Sequence, residues 1–179
     1  MEIIKNVIFS TPLLRVLDVL LQHSNQELND TEIIQKVTGA KRAAIHRALQ
    51  KLADFHITER VHKGRRCYNQ IDLDNTWLLP FKIALNILEI SPLVNRIKKL
   101  SIKIILFGSR SQGTNCHDSD FDLLIISSKK DLIIREINRV DESHRIQPII
   151  KTPEEILNVE KNDPVFFKEV HRGVIVWEK

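Results

Sequence analysis

The chain has 179 residues, 42% of them hydrophobic, and its 27 basic and 23 acidic side chains leave a formal charge of +4 at pH 7. That length supports one ordinary core or two small ones, and so small a net charge means that any nucleic-acid contact must rest on where the basic residues lie. Cys67 and Cys116 have no thiol or histidine at zinc-ligand spacing, which excludes a disulfide framework and a structural zinc site.

The apolar run over 13–21 is broken by Arg15 and Asp18, is too short to span a bilayer and follows no basic leader, so a cytoplasmic protein without membrane contact is expected. Before it, residues 2–9 are rich in β-branched and aromatic side chains and predict a strand or extended arm. Ser10-Thr11-Pro12 then has the cap-then-proline form of a helix start, and Leu13, Leu14, Leu17, Leu20 and Leu21 give that helix one apolar face as far as His23. A short second helix is expected, capped by Asp30 or Thr31, with Ile33, Ile34 and Val37 inward and Gly39 at its end. A third spans 41–55, with Ile45, Leu49 and Leu52 inward and Lys41, Arg42, Arg47 and Lys51 on its other faces. Strand-like runs at 57–61 and 66–71 flank His62-Lys63-Gly64-Arg65, a turn in which glycine supplies positive φ.

Three helices, a glycine turn before the third and a basic-tipped hairpin resemble the winged helix-turn-helix module, over residues 1–74. The 41–66 segment carries a local charge of +6. The resemblance implies that the third helix enters a DNA major groove while the hairpin tip meets the backbone or minor groove. Lys41, Arg42, His46 and Arg47 are then candidates for bases or phosphates, and Lys63, Arg65 and Arg66 for phosphates. The alternative is a domain that docks a protein, with these residues as a solvated face.

Residues 75–98 read as a connecting helix pair, 75–91 and then 92–100 started by Pro92. Leu78, Phe81, Leu85 and Leu88 are assigned to an intramolecular core, the sharper alternative being the seam of a homodimer. No glycine-serine linker intervenes, which predicts a stiff join. Strands follow at 102–107 and 121–127, a helix at 131–140, a strand at 145–150, helices at 153–160 and 164–171, and a last strand at 173–177. The expected fold class is α+β in two domains, the second (99–179) a mixed sheet with flanking helices.

The chemistry concentrates between 104 and 122. Ile104-Ile105-Leu106-Phe107 reads as a buried strand ending in Gly108-Ser109, whose backbone turns into a short helix. Such a turn offers amide N–H groups to phosphate; Ser109 adds a hydroxyl, and Arg110 adds charge if it points inward. Strand residues two apart share a face, so Asp120 and Asp122 project together and repel unless a cation lies between them. Hard oxygen donors of this kind suit Mg²⁺ that is also bound to substrate phosphates. Gly108 and Gly113 have P-loop spacing, but Thr114-Asn115 stands where Lys and Ser/Thr are required. Asp118, Asp120 and Asp122 mimic the start of an EF-hand, but Leu123 and Lys129 replace its turn glycine and bidentate glutamate.

An apolar strand ending in Gly108-Ser109, then Asp120-Phe121-Asp122 opening the next strand, resembles the minimal nucleotidyltransferase family, as does the 163–175 ending. The resemblance implies that Asp120 and Asp122 are catalytic and hold Mg²⁺ on a nucleoside triphosphate. An acceptor oxygen would then attack the α-phosphorus and pyrophosphate would leave. It also implies a third carboxylate on a neighbouring strand, where this chain has Gln147, an amide that is a poorer ligand and no general base. Asp141, Glu142 and Glu154 are the candidates to replace it. Three functions follow as expectations: a DNA-binding nucleotidyltransferase with an unidentified acceptor, a transcriptional regulator whose weak or inactive site senses nucleotide, and an antitoxin-like protein that modifies or blocks a protein partner.

Overall fold

The computed structural model of the chain describes residues 8–139 and 145–179. Backbone contacts cluster into two compact units, Met1–Leu78 and Leu79–Lys179. Most of the strand expected at 2–9 lies outside the described residues; of those it contains, Ile8 is helical and Phe9 lies in a turn.

In the first unit, α1 (Pro12–Gln22) starts where Thr11 Oγ1 accepts from the Leu14 amide and proline takes the first turn. Its buried face is Val16, Leu17, Val19, Leu20 and Leu21, while Leu13, expected inward, is exposed. A two-residue strand β1 (Leu28–Asn29), absent from the sequence expectation, precedes α2 (Asp30–Lys36). The cap of α2 is Asn29, not Asp30 or Thr31: its Oδ1 accepts from the Thr31 and Glu32 amides, and Glu32 reaches back to the Asn29 amide. This is the reciprocal capping box, spelled Asn-x-x-Glu in the sequence. The helix ends at Lys36 with Val37 extended, so Gly39 belongs to the following turn.

Helix α3 (Arg42–Asp54) buries Ile45, Ala48, Leu49 and Leu52, and the large aliphatic side chains of Ile45, Leu49 and Leu52 contribute about 1.5–3 kcal/mol each when fully removed from water. The hairpin is β2 (Thr58–Lys63) and β3 (Arg66–Ile71), and the sheet order β1-β3-β2 is antiparallel throughout. Lys63 pairs with Arg66, so the turn is the two residues Gly64 and Arg65, tighter than expected, and Gly64 has φ +63°. His62 and Lys63 therefore belong to the strand.

Helix α4 (Leu78–Ile97) begins at the last residue of the first unit and otherwise lies in the second; it is one continuous helix that carries Pro92 inside it instead of breaking there, closed by a 3-10 turn at Lys98–Leu100. Proline leaves the Leu88 carbonyl without its helical donor, and Ser91 Oγ supplies one at 2.8 Å. The stretch Leu78–Leu100 is long and apolar enough to cross a membrane by length and composition alone, and its residues Ile90, Leu93, Val94 and Ile97 pack into a core. The remaining elements are β4 (Lys103–Phe107), α5 (Gly108–Gln112), β5 (Phe121–Ile126), α6 (Lys130–Asn138), β6 (Ile146–Lys151), α7 (Pro153–Leu157), α8 (Val159–Asn162), α9 (Pro164–His171) and β7 (Val174–Glu178). The helix expected over 153–160 is thus two short ones meeting at Asn158.

The sheet order is β6-β5-β4-β7, with β5 parallel to β6 and the other pairs antiparallel, a mixed sheet as expected. Both faces of the central pair are covered. Ile104, Leu106, Phe121, Leu123 and Ile125 pack with α4 and Ile133 of α6, while Ile105, Phe107 and Leu124 meet Ile156, Phe166 and Val170 from α7 and α9.

Candidate active site

The site forms where β4 ends and β5 begins. Phe107 pairs with Asp122, so the last residue of β4 sits beside the second aspartate and Gly108 turns the chain directly across its carboxylate. Gly108 has φ +66°, and a Cβ there would lie 2.3 Å from Asp122 Oδ2. Only glycine permits both the backbone angle and the approach. From this turn α5 rises with no side-chain cap, with Gly108 buried and Ser109 half-buried.

Alternation along β5 sends Phe121 and Leu123 into the core packed by α4, while Asp120 and Asp122 are half-buried. The parallel register sets Gln147 opposite Asp122, and Gln147 Nε2 donates to Asp120 Oδ2 at 2.6 Å. The amide thus stands in the row where the resemblance implies a third acid. Glu154 does not replace it: it begins α7 after β6 has run to the opposite end of the sheet, and it is fully exposed. Asp141 and Glu142 lie outside the described residues.

Burial raises the Asp122 carboxyl above the usual range, and the negative charges of Asp120 and of Glu169 on α9 raise it further, against a smaller opposing effect from Arg110. Glu169 is a site residue that the sequence reading misses. It lies three residues beyond Phe166, whose ring meets Phe107 edge-on at 5.6 Å, and no sequence spacing to the aspartates signals the relation.

Arg110, expected at phosphate if it points inward, is 7% exposed and committed to protein. Its Nε and Nη2 donate to the Ser119 carbonyl at 3.0 and 2.8 Å, and Nη1 donates to Asn86 Oδ1 at 3.2 Å. Nη1 also lies 3.6 Å from Glu89, and the guanidinium sits 3.7 Å from the centre of the Phe121 ring. Burial holds this arginine below its usual value, opposed by Glu89, Asp120 and Asp122. Lys82 on α4 is buried as well, which lowers its pKa to about 8. The sequence reading also misses these α4 partners, although Lys82, Asn86 and Glu89 interrupt an apolar helix at steps of four and three.

No group of three or more His, Cys, Asp or Glu residues suited to a metal occurs among the described residues. Two half-buried carboxylates, that of Asp122 set over a glycine that leaves room for it and made harder to ionise by burial and by its neighbour Asp120, still fit one Mg²⁺ whose remaining positions go to substrate oxygens. Asp120 and Asp122 would hold it.

The basic residues of the first unit fall into two groups. Lys41, Arg42, Arg47, Lys63, Arg65 and Arg66 are exposed. Lys63 pairs with Glu27, and its ammonium lies 5.3 Å from the Tyr68 ring centre. His46 is half-buried with Nδ1 3.3 Å from Asp30 Oδ2, an oxygen that also receives Arg60 Nη2 at 2.7 Å. His46 is therefore placed against Asp30 at the start of α2.

Among curated proteins none matches the sequence significantly. Among solved structures, a similar chain is that of TrmBL2, an archaeal chromatin protein described as showing a novel mode of DNA binding. It is 12% identical with a TM-score of 0.29, over 87% of this chain and 70% of that one. Residues 81–179 match the family described as polymerase beta, nucleotidyltransferase, a span that takes in the Gly108 turn, both aspartates and the whole four-stranded sheet. The chain belongs to the polymerase beta nucleotidyltransferase family.

Proposed function

We propose that the second unit binds a nucleoside triphosphate together with Mg²⁺ and transfers its nucleotidyl group to an acceptor, with Asp120 and Asp122 as metal ligands. The observation that carries this reading is the seating of the Asp122 carboxylate over Gly108, where a Cβ would lie 2.3 Å from Oδ2. Gly108 and Ser109 are the phosphate contacts in this reading, through the open N-terminal amides of α5 and the serine hydroxyl. Mg²⁺, when bound, supplies polarisation of the phosphoryl group and neutralises the leaving pyrophosphate. The protein's own part is to hold two carboxylates two residues apart where the chain enters β5 and to leave room above the turn for phosphate. Incubation with Mg²⁺ and each labelled nucleoside triphosphate is expected to give transfer that Asp120→Asn abolishes. Unchanged transfer in that variant would remove the assignment.

A second reading has its own observation. Gln147 holds Asp120 through a neutral amide where a third acid would complete the site, which favours nucleotide binding without turnover. Binding and transfer measured on the same sample separate the two readings.

The first unit we read as a winged helix-turn-helix that binds DNA. Support comes from three helices before an antiparallel hairpin, and from the exposed Lys41, Arg42 and Arg47 on or beside α3 with Lys63, Arg65 and Arg66 at the hairpin tip. In this reading His46 contributes from its position against Asp30. After selection of a binding sequence, gel-shift titrations should weaken with salt. The Arg42→Ala/Arg47→Ala variant is expected to reduce the slope of log affinity against log salt by about 2, near 0.9 per lost phosphate contact. An unchanged slope and affinity would exclude α3 from the interface.

A further inference from the structure

Beneath the aspartate strand lies a buried polar network that phosphate and metal binding do not themselves use. Asn86 and Asn115, 4% and 6% exposed, pair their amides, Asn86 Nδ2 donating to Asn115 Oδ1 at 2.8 Å and Asn115 Nδ2 to Asn86 Oδ1 at 3.3 Å. Asn86 Nδ2 also donates to the Arg110 carbonyl at 2.8 Å, and Lys82 Nζ donates to the Asn115 carbonyl. One face of α4 therefore grips both the short helix after Gly108 and the loop that leads to Asp120.

Burying an arginine is costly, and a long apolar side chain would fill the space over Phe121 without that cost. What an apolar side chain cannot do is place two donors on one carbonyl. The two bonds from Arg110 to the Ser119 oxygen fix the plane of the peptide that enters Asp120, and the contact with Phe121 holds the residue on its other side. Residues 119 and 121 are thus pinned from below, while 120 and 122 are left to converge above.

We infer that Arg110 and Asn86 are positioning residues for the Asp120–Asp122 pair, setting the separation of the two carboxylates for a divalent cation through the Ser119 carbonyl and the Phe121 ring. The inference rests on the metal-binding reading of that pair. It assigns Arg110 to orienting the ligands in place of contacting phosphate.

The test uses the full chain, Mn²⁺ and a non-hydrolysable nucleoside triphosphate, with Mn²⁺ affinity read by electron paramagnetic resonance and folding read by thermal melting. Arg110→Lys keeps the positive charge, so the field at the aspartates is preserved while the two-donor grip is lost. Mn²⁺ binding is expected to weaken by roughly tenfold, the scale of losses when groups that orient metal ligands are removed, in a protein that still melts cooperatively. Should Arg110→Lys not fold, Asn86→Ser, which is neutral and removes the amide bonds by which Asn86 holds Arg110 and Asn115, carries the same expectation. Mn²⁺ affinity within twofold of the native value in either folded variant overturns the inference. If the native chain itself binds no Mn²⁺ with nucleotide, the metal-binding reading fails first and takes this inference with it, an outcome distinct from a native chain that binds and variants that bind equally well.

Discussion

Gly108→Ala is expected to lower the melting temperature and to remove metal and nucleotide binding together. Two separate effects act at this position. A non-glycine residue at φ +66° costs roughly 1–2 kcal/mol of backbone strain. The added Cβ must also displace Asp122, because it would meet Oδ2 at 2.3 Å and Cγ at 3.1 Å. Gly64 separates the two effects, since it has φ +63° but a Cβ added there would meet nothing within 4 Å. Gly64→Ala should cost a similar amount of stability and leave nucleotide binding unchanged. Melting curves and Mn²⁺ titrations on both variants check this, and a Gly108→Ala protein that binds like the native chain would separate Asp122 from the site.

Asp122→Asn should make the metal-free protein more stable at pH 7 while weakening Mn²⁺ binding by about 100-fold or more, the upper end of losses seen even for residues that only orient ligands. The sign follows from the raised carboxyl, caused first by burial and then by Asp120 and Glu169. Folding disfavours the charged form, so Asp122 favours the folded state fully only below the ordinary aspartate value, and that contribution is lost as pH rises through the raised one. The stability gap between variant and native protein should therefore be widest at neutral pH and close as pH falls toward the ordinary aspartate range. A variant less stable than the native chain at pH 7 would mean that Asp122 is held by favourable contacts and is not an uncompensated charge. Gain of stability with loss of binding marks a residue kept for function.

How much of this is legible in the sequence depends on the range of the interactions. Helix α3 can be read to within a residue at each end, because its buried positions repeat at helical spacing and nothing tertiary opposes them. The start of α2 is missed by one residue because Asp30 and Thr31 are also good caps, and the deciding partner, Glu32, acts only through Asn29. Pro92 reads as a boundary because proline removes a helical donor, and the Ser91 hydroxyl that satisfies the orphaned carbonyl is a local compensation that the dipeptide alone does not announce. The Gly108 turn and the Asp120/Asp122 alternation are legible because they too are local. Arg110 is not, since its partners besides Ser119 and Phe121 include Asn86, 24 positions earlier in the chain. Glu169 acts on the charge of Asp122 only after α9 has folded back onto β4, a tertiary relation without a sequence period.

The most direct test of the central claim is a Mn²⁺ titration of the intact chain in the presence of a nucleoside triphosphate, beside the Asp120→Asn/Asp122→Asn double variant. The account predicts saturable, nucleotide-dependent binding in the native chain and none in the folded double variant. Equal binding by the two proteins, or none by the native chain, would contradict it.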